Sequence, residues 1–359
     1  MIYLGNSVLI LGNGFDVAVG RRTKYENFYN SKYCPKDYPA PLIKFLNGRW
    51  NEKDLGGVRW LDMENALHEY AQNPPEDDYY SRIEEEALGI YYNNSEEVSF
   101  RPYNNPNIRK MDGLISSPNQ YYQIIKDLKD SNRLPDKVEN FEKLREIYNA
   151  YYELERISRD KKAFLKIEEG LASYLSEEGE QNYFDIDEKA ISLLSEYLNY
   201  NSENSLAGIS SIYSFNYTSI DNLLEGEEKQ KSIKKLHYMH GSLRDNHVII
   251  GTKDGAYDKY DFLQKAFDPK YNPPSLLDDM QRANRIDIYG HSLGNCDSQY
   301  FRPFFESVIT GDSPKKTINI YTYNDDSEIQ IKKNLNILTD NKLSYLYSKC
   351  NLHFIKSKE

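Results

Sequence analysis

Three short segments carry the residue types that nucleotide chemistry needs: GNGFD at 12–16, MHGS at 239–242 and GHSL at 290–293. Gly12 and Gly14 allow close backbone approach, and free N–H groups at a following helix start attract phosphate. The third glycine of the dinucleotide fingerprint is replaced by Val17, and Asp16 in the first helical turn would repel a phosphate beside it. A tight strand-to-helix turn capped by Asp16 is therefore the competing reading of this segment. His240, next to Gly241 at a strand end, is suited to general acid or base work because an imidazole titrates near neutrality. A buried, hydrogen-bonded histidine is the plainer alternative. His237, His240 and His247 could suggest a metal, but no carboxylate or cysteine completes a ligand set, and none is expected.

SFNYTSID at 214–221 ends a strand and brings Asn216, Thr218 and Asp221 to the same region. An amide such as Asn216 can orient a ribose hydroxyl or a water, unless it only closes a strand-end turn. Asn324, after INIYTY, is a weaker case of the same kind. Thr23 could cap a helix with Glu26 three residues on. Asp62 and Glu64 in WLDMENAL could line a cleft, a solvated helix face being the preferred reading. GHSLG at 290–294 also matches the Gly-x-Ser-x-Gly elbow of α/β-hydrolases. Ser292 would be its nucleophile, followed by Asp312 or Asp325 and then His353. Against this rival stand the position of His353 inside an apolar LHFI run and the short distance from elbow to histidine.

The elements that must position these residues follow a strand grammar. SVLIL at 7–11 is a short apolar run expected of a strand covered on both faces. GISSIYSFNYT (208–218), KKLHYMHGS, HVIIGT (247–252), RIDIYGHSL (285–293) and KTINIYTYN (316–324) continue it. The pattern predicts an α/β fold, a Rossmann-like, mainly parallel sheet with flanking helices plus a large, mostly helical insertion. The domain division is 1–58 with 206–359 for the sheet and 59–205 for the insertion. Within the insertion, Phe141, Leu144, Ile147, Tyr151 and Leu154 recur at helical spacing, as do Phe164, Ile167, Leu171 and Tyr174.

The chain has 359 residues, a formal net charge of -11 and three cysteines with no C-x-x-C pair. That argues for a reducing compartment and against a disulfide framework. The acidic balance disfavours broad nucleic-acid binding. A mean hydropathy of -0.77 and the lack of any long apolar run speak against a membrane span. A cytoplasmic location is expected, with the apolar N-terminus as a first strand and not a signal peptide.

Taken in order, GNGFDVAVGRRTKY, WLDMENAL, SFNYTSIDNLL, HYMHGSL, HVIIGT and IDIYGHSLGNCDSQYF resemble the AbiH family of bacterial abortive-infection, anti-phage proteins. More distantly, the set is similar to sirtuin-like NAD-binding and NAD-hydrolysing domains. The resemblance implies that Gly12 and Gly14 form the phosphate turn and that Asn216 holds the nicotinamide ribose and its attacking water. It makes His240 the catalytic histidine and places Gly290 and Ser292 against the adenine-side ribose and phosphates. Asp16, Thr23, Gly241, Asp297 and Asn324 complete the candidate binding residues. Two departures stand out: Asp16 replaces a small hydroxyl residue, and Thr218 replaces the aspartate usual after the asparagine. The implied activity is hydrolysis of the nicotinamide–ribose bond, with NAD as substrate. The alternative is a non-catalytic nucleotide-binding defence sensor or scaffold. A homo-oligomer is expected, with a phage-derived trigger or a partner defence protein acting through the insertion.

Overall fold

In this computed structural model the described residues are 7–51, 62–75, 139–181, 192, 209–220, 235–245, 247–311 and 315–356. The chain begins with β1 (Ser7–Leu11), α1 (Asn13–Ala18), α2 (Tyr25–Tyr29), α3 (Pro41–Asn51) and α4 (Met63–Gln72). The long α5 (Glu139–Gln181) precedes β2 (Ile209–Ser214) and β3 (Lys235–Tyr238). Then come α6 (Leu276–Arg282), β4 (Arg285–Tyr289), α7 (Ser298–Thr310), β5 (Thr317–Thr322), α8 (Asp325–Leu338), α9 (Leu343–Lys349) and β6 (Asn351–Lys356).

These six strands form one sheet in the order β3-β2-β1-β4-β5-β6, and each neighbouring pair is parallel. That is the strand order of doubly wound dinucleotide-binding sheets. Its direction reverses between β1 and β4, which is where the loops after two adjacent strands part to opposite sides. The register is what makes this useful. Leu11 lies level with Ser214 on one side and Tyr289 on the other, and Ser214 with Tyr238. The residues following β1, β2, β3 and β4 therefore emerge together at one edge.

One apolar core gathers Val8, Ile10, Ile286, Ile288, Ile318 and Ile320 from the sheet with Phe301, Phe304 and Phe305 of α7 and Leu335 of α8. A second joins α2–α5 to the stretch around Val248–Leu263. In α5, Phe164, Ile167, Leu171 and Tyr174 are buried as their spacing predicts. Leu154 departs from its expected stripe and is 66% exposed; the side chains of Phe141, Leu144, Ile147 and Tyr151 lie outside the described residues. HVIIGT is not a sheet strand: only His247–Val248 pair, antiparallel with Gly241–Ser242, in a small separate ribbon. The helix read in WLDMENAL starts at Met63, where the Asp62 side chain accepts from the Asn65 N–H at 3.0 Å. No helix among the described residues is long and apolar enough to cross a membrane.

Candidate functional site

Backbone hydrogen bonds extend the sheet past its strand ends and weld the predicted segments together. Gly12 N donates to the Tyr289 carbonyl at 2.9 Å and Gly14 N to the Gly290 carbonyl at 2.8 Å. Phe215 N reaches the Leu11 carbonyl and Met239 N the Ser214 carbonyl, each at 2.8 Å. The glycines are required by this contact. A Cβ on Gly12 would stand 2.5 Å from the His291 Cα, and one on Gly14 would stand 2.6 Å from the Gly290 Cα. Gly290 has φ +66°, and a Cβ there would meet the Phe15 nitrogen at 2.4 Å. Gly241, at φ +73°, is similarly pressed against the His247 carbonyl.

Three segments then converge on one buried ammonium. Lys265 is fully buried, yet no motif marks it in the sequence. Its Nζ lies 3.0 Å from Glu64 Oε2, 2.9 Å from Asp297 Oδ1 and 3.2 Å from His240 Nε2. Buried charges must be paired in this way to persist. Glu64 arrives from α4, so its helix face is turned to the site and not to solvent, contrary to the preferred sequence reading. Asp297 sits at the N-cap position of α7 but makes no capping bond. Its Oδ1 takes Lys265 while its Oδ2 lies 3.3 Å from His291 Nε2.

The electrostatics follow from this packing. Burial and the adjacent Lys265 push the His240 imidazole down to about 4, against the pull of Asp297. Burial pushes the Glu64 carboxyl up to about 8; Lys265 opposes this, while Asp297 and Asp62 reinforce it. Burial would raise Asp297, but Lys265 and His240 overcome it and hold its carboxyl well below the usual range. The ammonium, disfavoured by burial, is stabilised by Asp297 and Glu64 and titrates well above an ordinary lysine. His240 is thus not the free base near neutrality that the sequence suggested.

Asp16 and Thr218, set apart as two departures in the sequence, meet in a single interaction. Thr218 Oγ1 donates to Asp16 Oδ2 at 2.6 Å, and Arg21 bridges Asp16 Oδ1 and Thr218 Oγ1 at 3.0 Å each. Asp16 does not cap α1; its side chain ties the first turn to the end of β2. Nearby, Asn216 Nδ2 donates to the Gly12 carbonyl at 3.1 Å, while its Oδ1 is buried with no hydrogen-bond partner among the described residues. An orphaned buried acceptor calls for an explanation, and a ligand or water donor is one.

Other expected residues are placed differently. Thr23 does not cap α2, whose N-cap is Lys24; its hydroxyl donates to Asn13 Oδ1 at 2.5 Å. Asn324 forms a capping box with Ser327 at the start of α8. Ser292 is exposed, and the left-handed residues of that turn are Gly290, at φ +66°, and Leu293, at φ 54°, so the strained nucleophile of an elbow is not formed. His353 lies exposed on the outermost strand β6, and Asp325 pairs with Lys356 at 2.6 Å. Asp221 and Asp312 fall outside the described residues. His237 stacks on Tyr213, and His247 pairs with Asp268 at 3.0 Å. No group of three or more His, Cys, Asp or Glu among the described residues could hold a metal ion. In the space between Glu64, Asp297 and His240, the cation is Lys265. The sequence overlooked Lys265 and, within GHSL, the histidine itself: His291 is buried and faces the cluster while Ser292 does not.

Comparison with known proteins adds one match. The family described as "Bacteriophage abortive infection AbiH" matches residues 8–319. No curated protein and no solved structure matches the chain.

Proposed function

Since the chain belongs to the AbiH family of bacteriophage abortive-infection proteins, its role is anti-phage abortive infection, and we propose that it acts through a nucleotide site at the carboxyl edge of the sheet. The finer proposal is hydrolysis of the nicotinamide–ribose bond of NAD. The observation that carries it is the convergence of Gly12, Asn216, His240 and Gly290 at the reversal point of a β3-β2-β1-β4-β5-β6 sheet. Ligands of open α/β sheets bind outside the carboxyl ends of the strands at that point.

The chemistry asks little acid catalysis of the protein. When the carbon–nitrogen bond breaks, nicotinamide leaves with the bonding pair, which neutralises its ring charge. The ribose passes through an oxocarbenium-like state, as in glycoside hydrolysis, and water adds to it and releases a proton. Oδ1 of Asn216, buried without a partner among the described residues, supports a role in orienting that water. Asp297, whose carboxyl is held well below the usual range, supplies negative charge near the developing cation. The activity would be restrained through 59–205, by self-association or a partner defence protein, until a phage-derived trigger releases it; light scattering of the full chain with and without phage lysate reads this.

A second reading, a nucleotide sensor without turnover, is favoured by one observation: the Nε2 of His240 is already engaged by Lys265 and Asp297. One experiment separates them. Purified protein is incubated with NAD, and nicotinamide and ADP-ribose are followed by chromatography beside Asn216→Ala. The hydrolase predicts release by wild type and a loss of about 10²-fold or more in the variant, the scale for removing one positioned polar group. Calorimetric binding of NAD with no nicotinamide released would overturn hydrolysis and leave the sensor.

A further inference from the structure

The buried cluster contains two histidines whose protons the geometry assigns to opposite ring nitrogens. His291 Nδ1 accepts from the Leu293 N–H at 2.9 Å, so its proton sits on Nε2, facing Asp297 Oδ2 at 3.3 Å. His240 is less obvious, because its Nε2 lies 3.2 Å from both Lys265 Nζ and Asp297 Oδ1. A proton on Nε2 could donate to Asp297. It would also face an ammonium hydrogen and strip Lys265 of one of its three acceptors. A fully buried ammonium has three N–H groups and no way to hydrate the third. Asp297 loses nothing by the other arrangement, since its two oxygens are already served by Lys265 and His291.

Resting on the nucleotide-site reading above, we propose that Lys265 is a positioning residue: held by Glu64 and Asp297, it donates to Nε2 of His240 and fixes that ring as the neutral Nδ1–H tautomer, a hydrogen-bond donor to a ligand oxygen. The polar contacts of the His240 ring to Lys265 and Asp297 are both made at Nε2 and leave Nδ1 to a ligand. The flanks of the ring are closed by Phe215, Tyr217 and Tyr300 at 5.3, 6.4 and 6.0 Å between centroids. The charged and titratable groups facing it are Lys265, Asp297, His291 and, one step beyond Lys265, Glu64. The edge thus presents an N–H donor from His240 and a carbonyl acceptor from Asn216. A sugar hydroxyl can use both kinds of group, as acceptor and as donor. Glu64 comes from α4, so the state of His240 depends on that helix being docked.

The test is nitrogen-15 NMR of the full chain with labelled histidine, His240 being assigned by the signal lost in His240→Gln. The expected wild-type spectrum at neutral pH shows a protonated Nδ1 and a bare Nε2. In Lys265→Met the titration of that ring should move to higher pH, a change that a merely structural lysine would not produce. An Nε2-protonated wild-type ring, or the same titration in the variant, would overturn the proposal. Should Lys265→Met fail to fold, the wild-type tautomer decides alone. The predicted tautomer without nicotinamide release sinks only the NAD reading; the reverse combination sinks only the role of Lys265.

Discussion

Thr218 and Asp16 should be energetically coupled, and the coupling can be sized from the structure. Thr218→Val keeps the shape of the side chain and removes the hydroxyl. It deletes a 2.6 Å bond to a buried carboxylate and a 3.0 Å bond from Arg21. Hydrogen bonds to charged groups contribute about 1.5–3 kcal/mol, so the single variant should lose about 2–3 kcal/mol. Asp16→Asn removes the charge that Arg21 and Thr218 serve and should cost a similar ~2–3 kcal/mol. Both changes strike the same contact, so the double variant should fall short of the sum by about 1–2 kcal/mol, a range typical of residues in direct contact. The assay is urea unfolding of the four proteins at neutral pH. Additivity within about 0.5 kcal/mol, the behaviour of independent sites, would refute the interaction. A pH series adds a second check. Burial raises the Asp16 carboxyl above 3.8, with Arg21 and Thr218 opposing. A raised folded-state value means that the unfolded chain ionises first, so stability falls as pH climbs past 3.8. Without the Thr218 hydroxyl the shift grows, and the deficit of Thr218→Val should widen above about pH 4.

Three further outcomes follow from the same geometry. Gly290→Ala forces a Cβ to within 2.4 Å of backbone at φ +66° and should lower stability by about 3 kcal/mol or more, overpacking adding to left-handed strain; an unchanged unfolding midpoint would contradict the packed turn. Glu64 is raised by burial to about 8, so its ionisation should erode wild-type stability between about pH 5 and 8; Glu64→Gln lacks that loss, and its stability relative to wild type should rise over that interval in urea unfolding. Ser292→Ala should change neither stability nor NAD turnover, and a fluorophosphonate probe should leave wild-type Ser292 unlabelled; labelling there would restore the esterase.

The local code was clear where one segment carries its own signal. SVLIL is a strand because an unbroken apolar run suits a position covered on both faces, and every residue of it is buried. The Phe164–Tyr174 spacing gave a helical face because 3.6-residue periodicity needs no partner to be read. GNGFD, MHGS and GHSL were found as strand-end turns by their glycines. The reason for those glycines was hidden, since it is a neighbouring segment's backbone at 2.4–2.6 Å.

What the sequence alone determined, then, is the sheet strands β1–β5, with HVIIGT read as one too many, the edge at which their turns emerge, and the family through its ordered motifs. The tertiary structure decided which side chains meet there. Lys265 and Glu64 are 201 positions apart, and Asp16 and Thr218 are 202 apart; no local pattern can announce such a pair. Sheet register brings Asp16 to Thr218, the packing of α4 against the stretch around Val248–Leu263 brings Glu64 to Lys265, and burial then fixes their charges: a lysine with no access to water must take Glu64, Asp297 and His240 as its shell. For the same reason His240 reads from its type as a base and is, in place, a ring whose free nitrogen has already been used.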